Sequence, residues 1–413
     1  MRYHLHSVAG ALLVLACAPV RGGKLSATST GDLSHALETR TALPREQQHQ
    51  CGTGELTALG ARRVARAPYL QQVSSKSALV LFTFADEPTA HTVTLTRPTG
   101  EVVQSVRAEQ DPSDPSGLQW IARFAELEPN AMYCYSLDQL SERAGFRTAP
   151  PPFVDAPVRF VVFGDSGKEG ARQDAVRDQL DTVPFDLMLH TGDIVYGDGS
   201  LDRFEHDFFG PYAELLESVP VFPTSGNHDY RNDRGAPYFQ VFALPENGGA
   251  DGVERWYSFD WGDVHFVALD TEQLGEAQSA WLARDLANNQ LPWKVVYLHR
   301  PPYSSGYHGS SRAVREAFSP VFADHEVQVV FAGHDHDYER TRVIDGVTYF
   351  VTGGGGHSTR AVGHSAFTAF SEDVLHFVYT EVQGDTMLVH AIDATGREFD
   401  SVRIPRGPAP DLL

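Results

Sequence analysis

The sequence is short of basic charge. Its 33 Lys and Arg residues face 54 Asp and Glu, giving a formal net charge of -21. A nucleic-acid binder needs a basic face, so no nucleic-acid partner is expected. An anionic ligand would be repelled at long range, so any site for one must carry its own local positive charge, which metal ions can supply. Cysteine is scarce too, with three residues, Cys17, Cys51 and Cys134. Cys17 closes an N-terminal apolar segment, which leaves at most one disulfide, Cys51 to Cys134. Two unrelated thiols are an equal alternative, because separation along the chain says nothing about geometry. Long apolar runs are missing: residues 8–15 are too few to span a bilayer. No internal repeat is visible. The glycine run 353–356 lacks the Lys and helix of a P-loop and reads as a close-packing turn.

What is present is the composition of a globular protein. Apolar residues make up 42% and charged residues 21% of the 413, enough for a sizeable core and two or three domains. Residues 1–22 read as an export signal, with Met1-Arg2 before the apolar run and small residues after it. Val14-Leu15-Ala16-Cys17 resembles a bacterial lipobox, which would make Cys17 a lipidated first residue; ordinary cleavage near Ala18 is the alternative. The expected destination is the cell envelope or the exterior, with membrane contact only through that anchor. Residues 23–65, polar and aperiodic, read as a flexible tether. Residues 66–150 carry short strands, at 78–84, 92–96, 120–124 and 132–137, with turns between them, and predict a β-sandwich. Pro150-Pro151-Pro152 is a stiff boundary. Over 155–405 strands alternate with helical spacing at 171–180, 201–217, 277–288 and 312–322. The predicted class is α/β, a four-layer α/β/β/α sandwich.

Five predicted strands of this second region end in residues of the metal-ligating types. Asp165 follows 158–163, Asp193 follows 187–189, and Gly226-Asn227-His228-Asp229 follows 219–224. His299 follows 295–298, and His334 and His336 follow 327–331. Ligands bind beyond the carboxyl ends of strands in open α/β sheets, so the five loops are expected to assemble one site. Carboxylate oxygens suit hard ions and imidazoles suit Zn, Mn or Fe. A shared carboxylate can bridge two cations about 3.5–4 Å apart.

The motifs Gly164-Asp165-Ser166-Gly167, Gly192-Asp193-Ile194-Val195-Tyr196, Gly226-Asn227-His228-Asp229, His299 and Gly333-His334-Asp335-His336 resemble those of the calcineurin-like metallophosphoesterases. Within that superfamily the pattern is similar to the purple acid phosphatases. Most of the superfamily carries a ligating His where this chain has Gly167, and here Tyr196 stands in its place. Leu127-Glu128-Pro129-Asn130 with Tyr133 and Tyr135 resembles the second half of a fibronectin type III domain, which often precedes this fold. The resemblance implies a first metal on Asp165, Asp193, Tyr196 and His336, and a second on Asp193, Asn227, His299 and His334. A phenolate favours Fe(III); Zn, Mn or Fe(II) would occupy the second position. The implied reaction is hydrolysis of phosphate monoesters by a metal-bound hydroxide, with His228, and His308 nine residues after His299, on the substrate side. A His near its ordinary pKa of about 6.5 is largely cationic in mild acid, which suits a proton donor.

Each residue alone has a blander reading. Asp165 could cap a helix, Tyr196 could be core, Asn227 could be a turn residue, and His334-Asp335-His336 could be a solvated loop. Seven such coincidences in family order are improbable. His190 is expected to be structural; His206, His265 and His325 have no placing motif; His357 is expected to stay out of the site. Asp229 is expected to orient a neighbour, and Arg300 and Tyr303 to line the mouth. The alternatives are a phosphodiesterase or nucleotide-acting relative using Mn or Zn, and a surface adhesion or scaffold protein. A phosphorylated small molecule is the expected partner. The oligomeric state is not legible.

Overall fold

The computed structural model describes residues 50–51, 64–84, 91–137, 143–168, 170–250 and 252–406. The signal, Cys17 and nearly all of the expected tether lie outside them. The N-terminal part is all β: β1 (Val64–Gln71), β2 (Ala78–Phe84), β3 (Thr92–Thr96), β4 (Val102–Arg107), β5 (Glu109–Gln110), β6 (Gln119–Phe124), β7 (Met132–Leu137) and β8 (Ala144–Arg147). They form two four-stranded sheets, ordered β1-β2-β6-β5 and β4-β3-β7-β8. In β3 the period-two pattern works as read, with Val93 and Leu95 buried. Strands β1, β4, β5 and β8 were not anticipated. In β4 no residue is buried, so no alternation marks it, and β8 is four residues long with Gly145 inside. β1 begins at Val64, inside the stretch expected as tether. Cys51, also in that stretch, is disulfide-bonded to Cys134 of β7, with Cα atoms 5.4 Å apart.

The second part runs β9 (Val158–Phe163), α1 (Ala171–Leu180), β10 (Leu187–His190), α2 (Leu201–Phe204), α3 (Gly210–Leu216), β11 (Val221–Pro223), α4 (Ala236–Val241), β12 (Tyr257–Trp261), β13 (Val264–Leu269), α5 (Glu276–Asn288), β14 (Trp293–Leu298), α6 (Arg312–Asp324), β15 (Val329–Ala332), β16 (Tyr338–Thr341), β17 (Thr348–Thr352), β18 (Thr368–Glu372), β19 (His376–Gln383), β20 (Thr386–Asp393) and β21 (Glu398–Pro405). One sheet is ordered β11-β10-β9-β19-β20-β21 and the other β12-β13-β14-β15-β17-β16-β18. Strands β9, β10 and β11 are parallel, as are β13, β14, β15 and β17. Central parallel strands are covered on both faces, which is why they read as unbroken apolar runs.

Aromatic rings fill the space between the sheets. Phe160 of β9 meets Phe266 of β13 and Phe331 of β15 at ring distances of 5.1 and 6.3 Å. Phe222 of β11 stacks on Phe259 of β12 at 3.8 Å. Trp281 and Leu282 of α5, with Phe318 and Phe322 of α6, pack against Val296, Leu298 and Val330 on the outer face of the second sheet. The layers are therefore those expected, a mixed α/β sandwich preceded by an all-β part. The single helix expected over 201–217 is interrupted at Glu205–Phe209 by a wider π-helical turn. Gly210 N there bonds Glu205 O, five residues back, just before Pro211, which has no N–H to donate. The widened turn carries Glu205, whose carboxylate accepts from Arg66 Nε of β1 at 2.8 Å.

Candidate metal centre

Strands β9, β10 and β11 of one sheet and β14, β15 and β17 of the other all end at one edge, and their loops meet there. At that edge Gly164 N donates to Thr352 O at 3.0 Å and so joins the two sheets, while Asp165 N donates to Gly192 O at 3.0 Å between neighbouring loops of the first sheet. Three of the predicted ligands, Asp165, Asp193 and His334, have positive φ (57°, 50° and 71°). L-residues held there cost about 1–3 kcal/mol each, and such strain collects at functional sites.

All seven predicted ligands converge. Tyr196 Oη donates to Asp165 Oδ1 at 3.0 Å and lies 2.9 Å from His336 Nε2, which is itself 3.3 Å from Asp165 Oδ1. On the other side His299 Nε2 stands 3.5 Å from Asp193 Oδ1, 3.3 Å from Asn227 Oδ1 and 3.2 Å from His334 Nδ1. Ligand atoms of Asp165, Asp193 and His299 fall within 4.8 Å of one another, so Asp193 joins the two groups. His299 Nδ1 faces Thr191 O at 2.9 Å and His336 Nδ1 faces Ser358 O at 2.8 Å. Those carbonyls accept N–H and leave each Nε2 lone pair facing the site.

Glycines make the close approach possible. A Cβ on Gly226 would stand 2.2 Å from Asp193 Oδ1, and one on Gly167 would stand 2.0 Å from Ile194 O and 2.4 Å from Val195 Cα. No side chain fits at 167, so no imidazole can reach the site from there, and the Tyr196 phenol occupies the corresponding side.

The electrostatics ask for cations. Asp165 and Asp193 are 0% and 2% exposed. Burial, followed by the charge of Asp165, pushes the Asp193 carboxyl well above its ordinary range. Burial and the same two carboxylates push the Tyr196 phenol up as well. Two buried acids facing a phenol and lone-pair nitrogens make a donor set that fits a dimetal centre and fits little else.

His228 sits at the rim, with its N–H donating to Asp193 Oδ1 at 2.8 Å and its ring 4.4 Å from that of Tyr196. Burial, then Arg231 and His299, bring its imidazole down to about 4. His308 stacks on His334 at 4.2 Å, and burial lowers it too. Asp229 is not a ligand-facing residue: it accepts from Gly226 N, Val195 N and Ile194 N, and so ties two ligand loops together. His190 is buried and hydrogen-bonded to Ser166 at 2.8 Å, a structural role as expected.

Three residues stand differently from expectation. His357 does reach the site: its ring lies 4.1 Å from Tyr196 and 4.7 Å from His336. The glycine run before it lets the chain turn back, and His357 N bonds Asp165 O at 2.9 Å. Tyr303 packs on Tyr349 and Phe367 away from the mouth, because its neighbours belong to the α6 side of the core. Arg360 carried no signal in its local sequence, yet its Nη1 lies 2.6 Å from His308 Nε2. Arg300 lies where expected, 3.1 Å from His334 Nε2.

Residues 158–338 match the family model for calcineurin-like phosphoesterases. They form a calcineurin-like phosphoesterase domain. The chain is 32% identical over 264 residues to purple acid phosphatase 21 of Arabidopsis thaliana, covering 59% of each chain. It is 30% identical over 298 residues to purple acid phosphatase 15 of the same plant, covering 60% of this chain and 56% of that one. The chain thus matches less than two thirds of the length of these relatives. A purple acid phosphatase from yellow lupin (Lupinus luteus) seeds superposes with a TM-score of 0.72 at 22% identity, covering 82% of this chain and 74% of that one. That likeness concerns the fold, and it extends beyond the phosphoesterase domain. Among the described residues no helix is long and apolar enough to cross a membrane.

Proposed function

We propose that this chain hydrolyses phosphate monoesters as an acid-phosphatase-type enzyme with two metal ions. The observation that carries the reading is the Tyr196 phenol set between Asp165 and His336 while Gly167 is closed to any side chain. Asp165, Asp193, Tyr196 and His336 would hold the first ion, an Fe(III) by the affinity of a phenolate for hard cations. Asp193, Asn227, His299 and His334 would hold the second, a Zn, Mn or Fe(II). Bound there, the pair supplies neutralisation of phosphoryl charge and an acidified water.

The chain's own residues do the rest. Asp193 keeps the two sites together. Thr191 O and Ser358 O fix the imidazoles of His299 and His336. His228, whose Nδ1 is buried without a partner, faces the phosphoryl group. A phosphate dianion beside it raises its proton affinity, and the imidazolium then donates to the departing alkoxide. His308 stands against His334 of the second group. The all-β part is assigned to the fibronectin type III-like class, and the whole to an exported protein, secreted or lipid-anchored at Cys17.

The test is hydrolysis of p-nitrophenyl phosphate by metal-loaded protein, set beside its bis-ester. Faster turnover of the monoester supports the reading. Preference for the bis-ester moves the assignment to a phosphodiesterase, and no turnover of either, with two metals bound, removes it.

A further inference from the structure

In a chain of net charge -21, three arginines reach histidines of this one site. Arg231 Nη2 lies 3.3 Å from His228 Nε2, Arg300 Nη1 3.1 Å from His334 Nε2, and Arg360 Nη1 2.6 Å from His308 Nε2. Arg300 is neutralised by Glu272, at 2.6 and 2.9 Å. The other two have no carboxylate partner among the described residues. Arg231 otherwise donates to Gly197 O at 2.9 Å, and Arg360 otherwise lies over the Tyr307 ring at 5.0 Å. A guanidinium keeps its charge and offers five N–H donors. Beside a histidine it opposes the imidazolium form, an arrangement that an intervening anion would relieve.

Arg360 is the better placed of the two. Its backbone N bonds His336 O at 2.9 Å, so the loop after β17 is pinned to the first ligand group. Its side chain meets His308, whose ring stacks on His334 of the second group. It therefore bridges both halves of the centre from above. Tyr307, 74% exposed, supplies a wall beside it. His308 N in turn bonds Asp335 Oδ1 at 2.6 Å, which holds the loop bearing Tyr307 and His308 in place.

We propose that Arg360, with His308 and Tyr307, is a subsite for a second anionic group, so that the preferred substrates are phosphate esters or anhydrides whose leaving group carries, or is, a further phosphate. This rests on the phosphatase reading for the position of the first phosphate. Arg231, on the His228 side, adds positive potential to the same mouth. A planar guanidinium fork matches phosphate oxygens better than an ammonium does, so Lys at 360 is expected to rescue only part of the effect.

The experiment is calorimetric titration of the metal-loaded protein with inorganic phosphate and with pyrophosphate. The wild type is expected to bind pyrophosphate more tightly, and Arg360→Gln to reduce that preference about tenfold, with Arg360→Lys between them and Tyr307→Ala also reduced. The ratio of kcat/KM for pyrophosphate to that for p-nitrophenyl phosphate is expected to fall in parallel, while Arg312→Gln, an exposed side chain at the start of α6, leaves the ratio alone. Phosphate binding without a pyrophosphate preference, or a preference that survives in Arg360→Gln, overturns the subsite and leaves the phosphatase reading standing. Failure to bind either anion overturns both.

Discussion

Gly167 lies so close to Ile194 that a Cβ on the glycine would stand 2.0 Å from the Ile194 carbonyl oxygen. Two residues past Ile194 comes Tyr196, whose phenol fills the same side of the centre. The absence of a side chain at one position and the presence of a phenol at the other are therefore one packing solution. Gly167→His is expected to lower thermal stability and fail to rebuild a nitrogen ligand, because backbone rather than a flexible side chain is in the way. Tyr196→Phe keeps the ring packing against His228 and His357 and is expected to melt near the wild type. It should lose any visible phenolate-to-Fe(III) band and much of its iron. A Phe variant with an unchanged spectrum and metal content removes Tyr196 from the ligand set.

Asp193 is the residue shared between the two groups, within reach of His299 and hydrogen-bonded to His228 N. Asp193→Ala is expected to cost at least about a hundredfold in kcat, in the range seen when a key charge-stabilising group is removed. It should also reduce bound metal from two ions toward one or none. Chelation of the wild type should lower its melting temperature, since ions bind only the folded ligand set, and the variant should show a smaller drop. Wild-type turnover by the alanine variant would falsify the assignment.

The Cys51–Cys134 bond closes a loop with a sequence separation of 83. In the chain-entropy description such a loop is worth about 4.5 kcal/mol. Reduction, or Cys51→Ser with Cys134→Ser, is expected to lower the melting temperature by several degrees or more and to leave the metal stoichiometry unchanged. Differential scanning calorimetry with and without reductant measures it.

Asp186, beside Arg159, is pushed up to about 6 from 3.8 by burial, against the pull of Arg159 and Arg147. A carboxyl whose pKa is raised on folding contributes stability that is complete below the unfolded value of about 4 and is lost as pH rises through 6. Asp186→Asn is therefore expected to gain on the wild type in melting temperature at pH 7.5, and that advantage should shrink as pH falls below 6 and vanish only near pH 4, the ordinary carboxyl value. A difference between the two proteins that stays flat across that window refutes the linkage.

The ligand types were legible because each is announced locally. An apolar run marks a strand buried on both faces, and the polar residue that follows it has to lie at the strand's end. The disulfide was left open by the same logic, since Cys51 precedes β1 and its distance from β7 is not a local quantity. Strands β4 and β8 escaped because edge pairing, rather than a buried face, holds them in place.

His357, Arg360 and Tyr303 show where local reading stops. His357 and Arg360 follow a glycine run that could have led anywhere; only the pairing of β17 between β15 and β16, together with the bonds to Asp165 O and His336 O, brings them to the site. Tyr303, four residues beyond His299, turns into apolar packing instead. Which donors the chain possesses, and that they stand at strand ends, followed from residue order alone. That donors from two separate sheets share one pocket, with arginines above them, depended on how the sheets stack through Phe160, Phe266 and Phe331, because contacts between distant segments are set by burial of the whole core and not by any short stretch of sequence.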